Sequence, residues 1–330
     1  MTRFGIVGAG AWGTALAMVV RRGGGEALIW AHEPEVADAI NKTHANPRFL
    51  PGITLDPAIR ATTALAELGG GGAILVVTPA QHLRATLARL APSLAGGVPL
   101  VLCAKGIERE SGLMMSEIAR QLAPAQPIAV LSGPSFAAEV ARELPTAVTL
   151  ATGDPGLGPV LADALASRRF RPYLSDDPIG AELGGAVKNV LAIAAGIVDG
   201  AGLGDNARAA LITRGLAEML RLGLAKGARA ETMAGLSGLG DLVLTCTGGQ
   251  SRNHALGVAL GQGKSLAEAL GRGPAVVEGV ASAAAVLSLA GRLGVDMPIA
   301  AAVEAVVGGR LGVADAIAGL LERPLKREDR

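Results

Sequence analysis

A glycine-rich phrase near the N-terminus places the strongest constraint on the fold of this chain. Residues 8–13 read GAGAWG; they follow the apolar run FGIV and precede the helical pattern TALAMVV. Gly8 permits a tight turn, Gly10 lets a pyrophosphate approach the backbone, and Gly13 lets the helix lie close to the strand. The free N–H groups and the dipole at the start of that helix favour an anion. This order of strand, loop and helix predicts a dinucleotide-binding domain; the alternative is a glycine-rich turn in an unrelated α/β protein.

The hydrophobic pattern changes along the chain. In the first half, short apolar runs such as AILVVT (73–78) and PLVLCA (99–104) alternate with helical stretches, which predicts a mostly parallel sheet covered by helices on both faces. In the second half the pattern is helical, with glycine-rich or polar joints. A chain of 330 residues also exceeds what one hydrophobic core usually supports. We therefore expect a doubly wound, Rossmann-like α/β domain over 1–180 and an all-α domain over 181–330 that ends in a short charged tail.

Composition and charge argue against several classes of partner. The 30 basic and 29 acidic residues give a formal net charge of +1, without a basic stripe interleaved with aromatic residues, so we expect no nucleic-acid partner. The four histidines are scattered, which argues against a metal site. Cys103 and Cys246 lack CxxC spacing; we expect free thiols and a cytoplasmic protein, with Cys103 in the core.

The first twenty residues contain an apolar run that could pass for an export signal. The run includes four glycines and is followed by Arg21 and Arg22, so we expect it to belong to the fold. Elsewhere, charged residues interrupt every apolar window of about eighteen residues, the length of a membrane helix. We therefore expect no integral membrane segment.

The end of the second expected strand, ALIWA (27–31), bears on the choice of dinucleotide. NAD-specific sites typically place an acid there to hold the ribose 2′-hydroxyl, but this strand ends at His32, with Glu33 one residue later. An imidazole beside a 2′-phosphate avoids the repulsion that a carboxylate would exert. His32 therefore favours NADP, or the use of both dinucleotides, over NAD alone; the alternative is that His32 is a solvated turn residue.

Several phrases carry more detail than a generic dinucleotide-binding domain requires. They are GAGAWGTALA (8–17), NPRFLPG (46–52), AKGIE (104–108), LSGPSFAAEV (131–140), ELGGAVKNVLAIAAGIVDG (182–200), GLSGLGDLVLTCTGGQSRN (235–253) and VEG (277–279). Together they resemble the bacterial-type NAD(P)-dependent glycerol-3-phosphate dehydrogenases over nearly the whole chain. The resemblance implies a fold like that of 6-phosphogluconate dehydrogenase. It also implies reduction of dihydroxyacetone phosphate to sn-glycerol 3-phosphate, the backbone of phospholipids, with NADH or NADPH.

The resemblance also implies roles for individual residues. The catalytic acid/base would be Lys188, with Asp241 as its companion. The cofactor would contact Gly8, Gly10, Ala11, Trp12, Gly13, His32, Lys105, Ala137, Arg252, Val276 and Glu278. The substrate would contact Lys105, Gly133, Ser135, Lys188, Asp241, Ser251, Arg252 and Asn253. The family often has Ser where this chain has Ala11, which removes a hydroxyl contact to the pyrophosphate but leaves the backbone N–H.

The chemistry of ketone reduction accounts for a lysine at position 188. Hydride transfer builds negative charge on the carbonyl oxygen, which an ammonium can polarise and then protonate. Lys188 lies in the apolar phrase GGAVKNVLAIAAG, where desolvation would lower its pKa and a carboxylate such as Asp241 would raise it again. The alternative is a lysine whose stem is buried while its ammonium reaches solvent. Only the resemblance, and not the spacing, implies that Asp241 meets Lys188.

Two further segments have the chemistry of ligand contacts. Lys105 directly follows the strand-like run PLVLCA, at a carboxyl end where open α/β sheets bind ligands; the alternative is an ordinary loop lysine. Ser251, Arg252 and Asn253 precede a helix, where N–H groups, a guanidinium and an amide would form a phosphate clamp. The alternative there is a plain serine N-cap with solvated neighbours.

Two other functions remain open at this point. One is a related dehydrogenase of a small hydroxy or keto acid, which would need a different anion clamp. The other is a non-catalytic NAD(P)-binding sensor, which would bind the cofactor without turnover and would have little need of Lys188. Whatever the function, the apolar helices of the second half offer a surface for a homodimer.

Overall fold

A mostly parallel sheet organises the first half of the chain. The computed structural model describes residues 3–271 and 277–324. Its strands are β1 (Arg3–Val7), β2 (Glu26–Trp30), β3 (Ala45–Asn46), β4 (Leu50–Thr54), β5 (Arg60–Thr62), β6 (Ala73–Val76), β7 (Leu100–Leu102), β8 (Ile128–Ser132), β9 (Thr146–Ala151) and β10 (Phe170–Ser175). Eight of them form one sheet in the order β10-β9-β8-β7-β6-β1-β2-β5, while β3 and β4 form a separate hairpin. Only β8 and β9 are antiparallel neighbours in the large sheet.

Helices cover both faces of this sheet, as the alternation of runs predicts. They are α1 (Ala11–Arg22), α2 (Pro34–Thr43), α3 (Leu83–Leu90), α4 (Met115–Leu122), α5 (Ala137–Ala141) and α6 (Leu157–Leu165). The side chains of successive β1 residues point to opposite faces of the sheet, because side chains alternate along a strand. Ile6 packs in the core that includes Leu16 of α1, whereas Val7 packs in the core that includes Leu87 of α3. The doubly wound fold is confirmed.

Three parts of the sheet region have no counterpart in the sequence analysis: β5, β10 and the β3–β4 hairpin. Strand β10 lies at the edge of the sheet and leaves Tyr173 and Leu174 exposed. It also contains Pro172, which has no N–H to donate. Such a strand lacks the continuous apolar run by which a central strand is predicted.

The second half is helical. Its helices are α7 (Pro178–Gly200), α8 (Asp205–Lys226), α9 (Ala230–Ala234), α10 (Asp241–Thr247), α11 (Arg252–Gly261), α12 (Leu266–Leu270), α13 (Glu278–Arg292), α14 (Pro298–Val307) and α15 (Val313–Leu321). A π-helical turn, Leu236–Gly240, precedes α10. Among the described residues after Ser175, none lies in a strand, so the all-α architecture is confirmed.

Helix α7 is the centre of this half. Its side chains from Gly180 to Val198 are buried. It is long and apolar enough, by length and composition alone, to cross a membrane, but the whole of that apolar window is covered by the protein. This degree of cover is typical of the core helix of a globular domain.

Glycines let α11 pack against α7 with the two backbones in contact. A Cβ on Gly196 would lie 2.1 Å from the carbonyl oxygen of His254, and a Cβ on Gly257 would lie 2.1 Å from that of Ile193. Larger residues at either position would push the helices apart. This close crossing places the start of α11 beside the middle of α7.

The two halves are joined through a buried carboxylate. Glu182, in the second turn of α7, accepts hydrogen bonds from the backbone N–H and the hydroxyl of Ser116, at 2.8 and 2.5 Å. Ser116 lies in the first turn of α4, so the carboxylate of Glu182 holds the start of that helix. Burial raises the pKa of Glu182 to about 7, against the opposing effect of the Ser116 hydrogen bonds. The contact fixes α7 against α4 six residues before Lys188.

Candidate active site

The loop between β1 and α1 is shaped for the close approach of a ligand. Gly8 has a φ of +121°, and a Cβ there would lie 3.2 Å from the carbonyl group of Val77. A Cβ on Gly13 would lie 1.9 Å from the oxygen of Gly8, so packing within the protein requires both glycines. A Cβ on Gly10 would meet nothing within 4 Å. The space in front of Gly10 is therefore open to a ligand.

The start of α1 supplies the electrostatics for a diphosphate. The helix begins at Ala11, and its N-cap residue, Gly10, offers no side-chain acceptor to the first N–H groups. These N–H groups and the helix dipole attract an anion. In the same turn, the indole Nε1 of Trp12 is buried and has no hydrogen-bond partner among the described residues. The loop and the helix start together fit the pyrophosphate of a dinucleotide.

Two lysines share one buried carboxylate at the carboxyl end of the sheet. Lys188, on α7, donates from Nζ to Oδ1 of Asp241 and, at 3.0 Å, to Oγ1 of Thr245. Lys105, in the loop after β7, donates to Oδ2 of Asp241 at 2.7 Å and to the carbonyl oxygen of Gly133 at 3.0 Å. The structure thus brings Lys188, Asp241 and Lys105 together although they lie on three separate segments.

Two adjacent glycines on α7 make this convergence possible. A Cβ on Gly184 would lie 2.4 Å from the carbonyl oxygen of Ser237, in the turn that leads to α10. A Cβ on Gly185 would lie 3.1 Å from Cγ of Lys105 and 3.0 Å from Oγ of Ser132, at the end of β8. The absence of side chains at these positions lets α7 approach both the sheet and the turn, with Lys188 in the next helical turn.

Burial and neighbouring charges place the Lys188 ammonium near its titration point. Burial lowers the pKa of Lys188, the carboxylate of Asp241 raises it, and the charge of Lys105 lowers it again. The result is a pKa of about 7, far below the ordinary lysine value. An amine with this pKa exchanges protons readily at neutral pH.

The carboxylate of Asp241 stays ionised in the same environment. Burial by itself raises the pKa of Asp241, but the charges of Lys105 and Lys188, with their hydrogen bonds, outweigh burial and hold that pKa below its ordinary value. One negative charge therefore faces two amines, of which Lys188 can lose its proton. This arrangement suits a proton donor and acceptor held in place by a fixed counter-charge.

The start of α11 lies beside this cluster. The hydroxyl of Ser251 accepts from the N–H of His254 and forms the N-cap of the helix. The amide of Asn253 donates to Oδ1 of Asn189, the residue after Lys188, at 2.9 Å and accepts from the N–H of Gly279 at 2.9 Å. Asn253 therefore ties α7, α11 and α13 together, and its second amide N–H has no partner among the described residues.

Arg252, at the start of α11, and Glu278, at the start of α13, interact electrostatically. Burial raises the pKa of Glu278, against the opposing effects of the Ala80 hydrogen bond and of the charge of Arg252, which is exposed. Glu278 Oε1 accepts from the N–H of Ala80 at 3.4 Å, while Oε2 is buried without a partner among the described residues. Val276, expected in the same cofactor site, lies outside the described residues.

The remaining expected residues lie near the carboxyl end of the sheet. Gly133 follows β8 with a φ of +140°, and its carbonyl oxygen accepts from Lys105 and, at 3.0 Å, from the hydroxyl of Ser135. Ala137 begins α5 and is half-buried. His32 is exposed beyond the end of β2, with its ring centroid 6.0 Å from that of Trp30.

Two polar residues of the site were not predicted from the sequence. Thr245 receives a hydrogen bond from Lys188 and donates one, at 2.6 Å, to the backbone oxygen of Asp241. Asn189 orients Asn253. The sequence spacing could have indicated Thr245, because this residue lies four positions after Asp241 and therefore on the same face of the helix.

Comparison with known proteins identifies one family over both halves of the chain. Residues 3–157 match the family described as NAD-dependent glycerol-3-phosphate dehydrogenase N-terminus, and residues 177–318 match the C-terminus of the same family. The glycerol-3-phosphate dehydrogenase [NAD(P)+] of Rhodospirillum rubrum is 59% identical over 98% of this chain and 93% of its own length. That of Caulobacter vibrioides is 58% identical over 99% of this chain and 98% of its own length.

Solved structures agree with these matches. The crystal structure of glycerol-3-phosphate dehydrogenase from Coxiella burnetii superposes with a TM-score of 0.94 at 40% identity, covering 98% of this chain and 99% of that one. A PanE/ApbA family ketopantoate reductase from Ralstonia eutropha superposes with a TM-score of 0.63 at 15% identity over 96% and 99%. The second likeness is one of fold alone.

Proposed function

The chain belongs to the NAD-dependent glycerol-3-phosphate dehydrogenase family, and we propose that it reduces dihydroxyacetone phosphate to sn-glycerol 3-phosphate with NADH or NADPH, and catalyses the reverse oxidation. The observation that carries the proposal is the Lys105–Asp241–Lys188 cluster. It lies at the carboxyl end of a sheet whose first loop fits a dinucleotide. The product would supply the backbone of glycerophospholipids.

The proton in this reaction is assigned to Lys188. NAD(P)H, when bound, supplies the hydride that reduces the carbonyl carbon. As negative charge grows on the carbonyl oxygen, the Lys188 ammonium stabilises it and transfers a proton to it, leaving a neutral amine and an alcohol. Asp241 remains a carboxylate throughout and, with Thr245, holds the direction of the Lys188 Nζ. In the reverse direction the neutral amine accepts the hydroxyl proton.

The phosphate end of the substrate is assigned to the start of α11. Arg252 is exposed there, Asn253 has one amide N–H without a partner among the described residues, and Ser251 forms the N-cap of the helix. A guanidinium with N–H donors suits a phosphate dianion. Lys105, Gly133 and Ser135 would line the pocket between this clamp and the sheet.

The cofactor contacts proposed for this chain extend from the pyrophosphate to the other parts of the dinucleotide. The pyrophosphate would lie on the glycine loop and the start of α1, beside Ala11 and Trp12. Ala137, Arg252, Val276 and Glu278 would contact the rest of the nucleotide. Oε2 of Glu278 has no hydrogen-bond partner among the described residues. This supports the assignment, because a buried acceptor without a partner is unfavourable unless a ligand supplies a donor.

Turnover and a lysine substitution test the proposal together. The purified protein should oxidise NADH or NADPH when given dihydroxyacetone phosphate. Lys188→Met should lower kcat by about 10²–10⁴-fold, the usual worth of a positioned proton donor, with little change in dinucleotide affinity. Lys264→Met, which removes an exposed lysine far along the chain, is the matched control. Dinucleotide binding without turnover in the wild type would favour a sensor instead.

The substrate itself is tested at Arg252. Arg252→Ala should raise KM for dihydroxyacetone phosphate more than it lowers kcat, because the guanidinium would bind a phosphate that does not react. An unchanged KM would favour a substrate with another anion, such as a small hydroxy or keto acid.

The domain boundary, the cellular location and the oligomeric state are part of the same proposal. A division near residue 180 is supported by the end of β10 at Ser175 and the start of α7 at Pro178. The free, buried thiols of Cys103 and Cys246 are compatible with the cytoplasm. Leu224, exposed on α8, is compatible with a homodimer through the helical half, which sedimentation analysis would test.

A further inference from the structure

The β3–β4 hairpin is attached directly to the glycine-rich loop. The amide of Asn46, which is fully buried, donates to the carbonyl oxygen of Ala9 at 2.8 Å and to Oγ1 of Thr14 at 2.8 Å. Ala9 lies inside the loop, and Thr14 lies in the first turns of α1. The hairpin therefore has a fixed position relative to the place where the pyrophosphate is expected.

Two residues further on, this hairpin presents an arginine to the end of β2. Arg48 Nη1 lies 2.6 Å from Oε1 of Glu35, and Nη2 lies 3.6 Å from Oε1 of Glu33. Its guanidinium also lies over the ring of Phe49, 5.2 Å from the centroid. The Arg48 side chain is 38% exposed. A ligand at the end of β2 can therefore reach its charge.

Arg48 lies near the place where the adenosine ribose of a dinucleotide is expected. When the pyrophosphate lies on the glycine loop, the adenosine ribose lies at the end of the second strand. Resting on the proposed cofactor function, we propose that Arg48 binds the 2′-phosphate of NADP(H) and that Glu33 binds the 2′-hydroxyl of NAD(H). The planar guanidinium matches a phosphate monoester, and a carboxylate matches a ribose hydroxyl.

The ion pairs of Arg48 explain how one site accepts both dinucleotides. Glu35 is 63% exposed, so its pair with Arg48 contributes little, and a phosphate can replace it while Glu35 turns into water. Glu33 is 27% exposed, and its contact with Arg48 is longer, so its oxygens remain available to a ribose hydroxyl. The two functions are thus divided between two side chains.

This assignment differs from the role that the sequence analysis gave to His32. The imidazole of His32 is exposed, and its ring is inclined at 60° to that of Trp30, with the centroids 6.0 Å apart. Among the described residues no hydrogen bond or ion pair orients it. Arg48, by contrast, is held by two carboxylates and an aromatic ring at the same end of β2.

Dinucleotide affinities measured by calorimetry test the proposal without relying on turnover. Arg48→Met keeps the apolar stem and removes the charge. It should raise the Kd of NADPH by about tenfold or more, as expected for a charged hydrogen-bond partner, and change the Kd of NADH by less than about twofold. Glu33→Gln should raise the Kd of NADH and leave the Kd of NADPH unchanged or lower. Lys42→Met, which removes an exposed charge of α2 paired with Asp38, should change neither affinity.

The outcomes separate this inference from the proposed function. Equal weakening of both dinucleotides by Arg48→Met would overturn it, and so would selective loss of NADPH in His32→Gln but not in Arg48→Met. Titration with 2′-AMP and 5′-AMP gives a second measurement: Arg48→Met should weaken the 2′-phosphate compound alone. If the wild type bound neither dinucleotide, the proposed function itself would fail.

Discussion

Replacing Asp241 by Asn would remove the negative charge that both lysines of the site contact. The carboxamide keeps the shape of the side chain and can accept a hydrogen bond from one lysine, but its NH2 group would then face the other. The attraction that raises the pKa of Lys188 would be lost, while burial and the charge of Lys105, which lower it, would remain. The pKa of Lys188 should therefore fall further below about 7.

The size of this shift follows from the geometry. For unit charges about 3 Å apart and an effective dielectric constant of about 20, the Coulomb energy is about 5 kcal/mol, which sets a ceiling. Because the Asn oxygen still accepts a hydrogen bond, we expect about half of this energy to be lost, which corresponds to about two pKa units. The pKa of Lys188 would then be about 5.

The pH dependence of kcat in both directions is the appropriate assay. Reduction needs protonated Lys188, so its kcat should fall as pH rises through the pKa of that residue, which is about 7 in the wild type. Oxidation needs the neutral amine and should show the opposite trend. In Asp241→Asn, reduction at pH 7.5 should be about a hundredfold slower, corresponding to two pKa units, and should recover on acidification.

A control and a refuting result complete this test. Asp176→Asn also removes one carboxylate, but from an exposed ion pair with Arg229, and should leave the pH profile unchanged. If Asp241→Asn lowers kcat for reduction equally at every pH, with the decline at rising pH still centred at about 7, then Asp241 does not set the proton affinity of Lys188. The electrostatic reasoning would then be wrong.

Two further substitutions test the fold that supports the site. Glu182 has a folded-state pKa of about 7, against an ordinary value of 4.5, so its protonated form favours folding and wild-type stability should fall as pH rises between these values. Glu182→Gln should match the wild type near pH 4.5 and exceed it by up to about 3 kcal/mol at pH 8, in urea titrations; a pH-independent difference would contradict this. Gly13→Ala places a methyl group 1.9 Å from the Gly8 oxygen and should cost about 1–3 kcal/mol. Gly10→Ala, where the space is open, should keep the stability of the wild type and lose only dinucleotide affinity. Equal losses of stability in the two glycine variants would refute the packing argument.

Local features of the sequence were sufficient for the fold class and for individual candidate residues. The glycine loop requires a positive φ at Gly8 and the absence of a side chain at Gly13, and these requirements are visible in residue type and spacing alone. Alternating apolar runs predict buried parallel strands, and a lysine inside the apolar phrase of α7 indicates a special role. Edge strand β10 was missed because it buries too little to leave an apolar pattern.

Which residues meet was decided by the tertiary structure. Lys188 and Asp241 are 53 positions apart, and Lys105 and Asp241 are 136 apart; no periodicity relates such positions. Their contact depends on how closely α7 can approach the sheet, and therefore on Gly184 and Gly185, whose importance appears only once the neighbouring segments are in place.

The sequence by itself therefore determined the two kinds of architecture, the dinucleotide loop and the presence of a lysine in an apolar helix, because each is encoded within one turn or one strand. Only the tertiary structure decided that one carboxylate holds two lysines, and that Arg48 rather than the neighbouring His32 is held at the end of β2. The pKa of Lys188 belongs to the second group, since burial and opposing charges exist only in the folded chain.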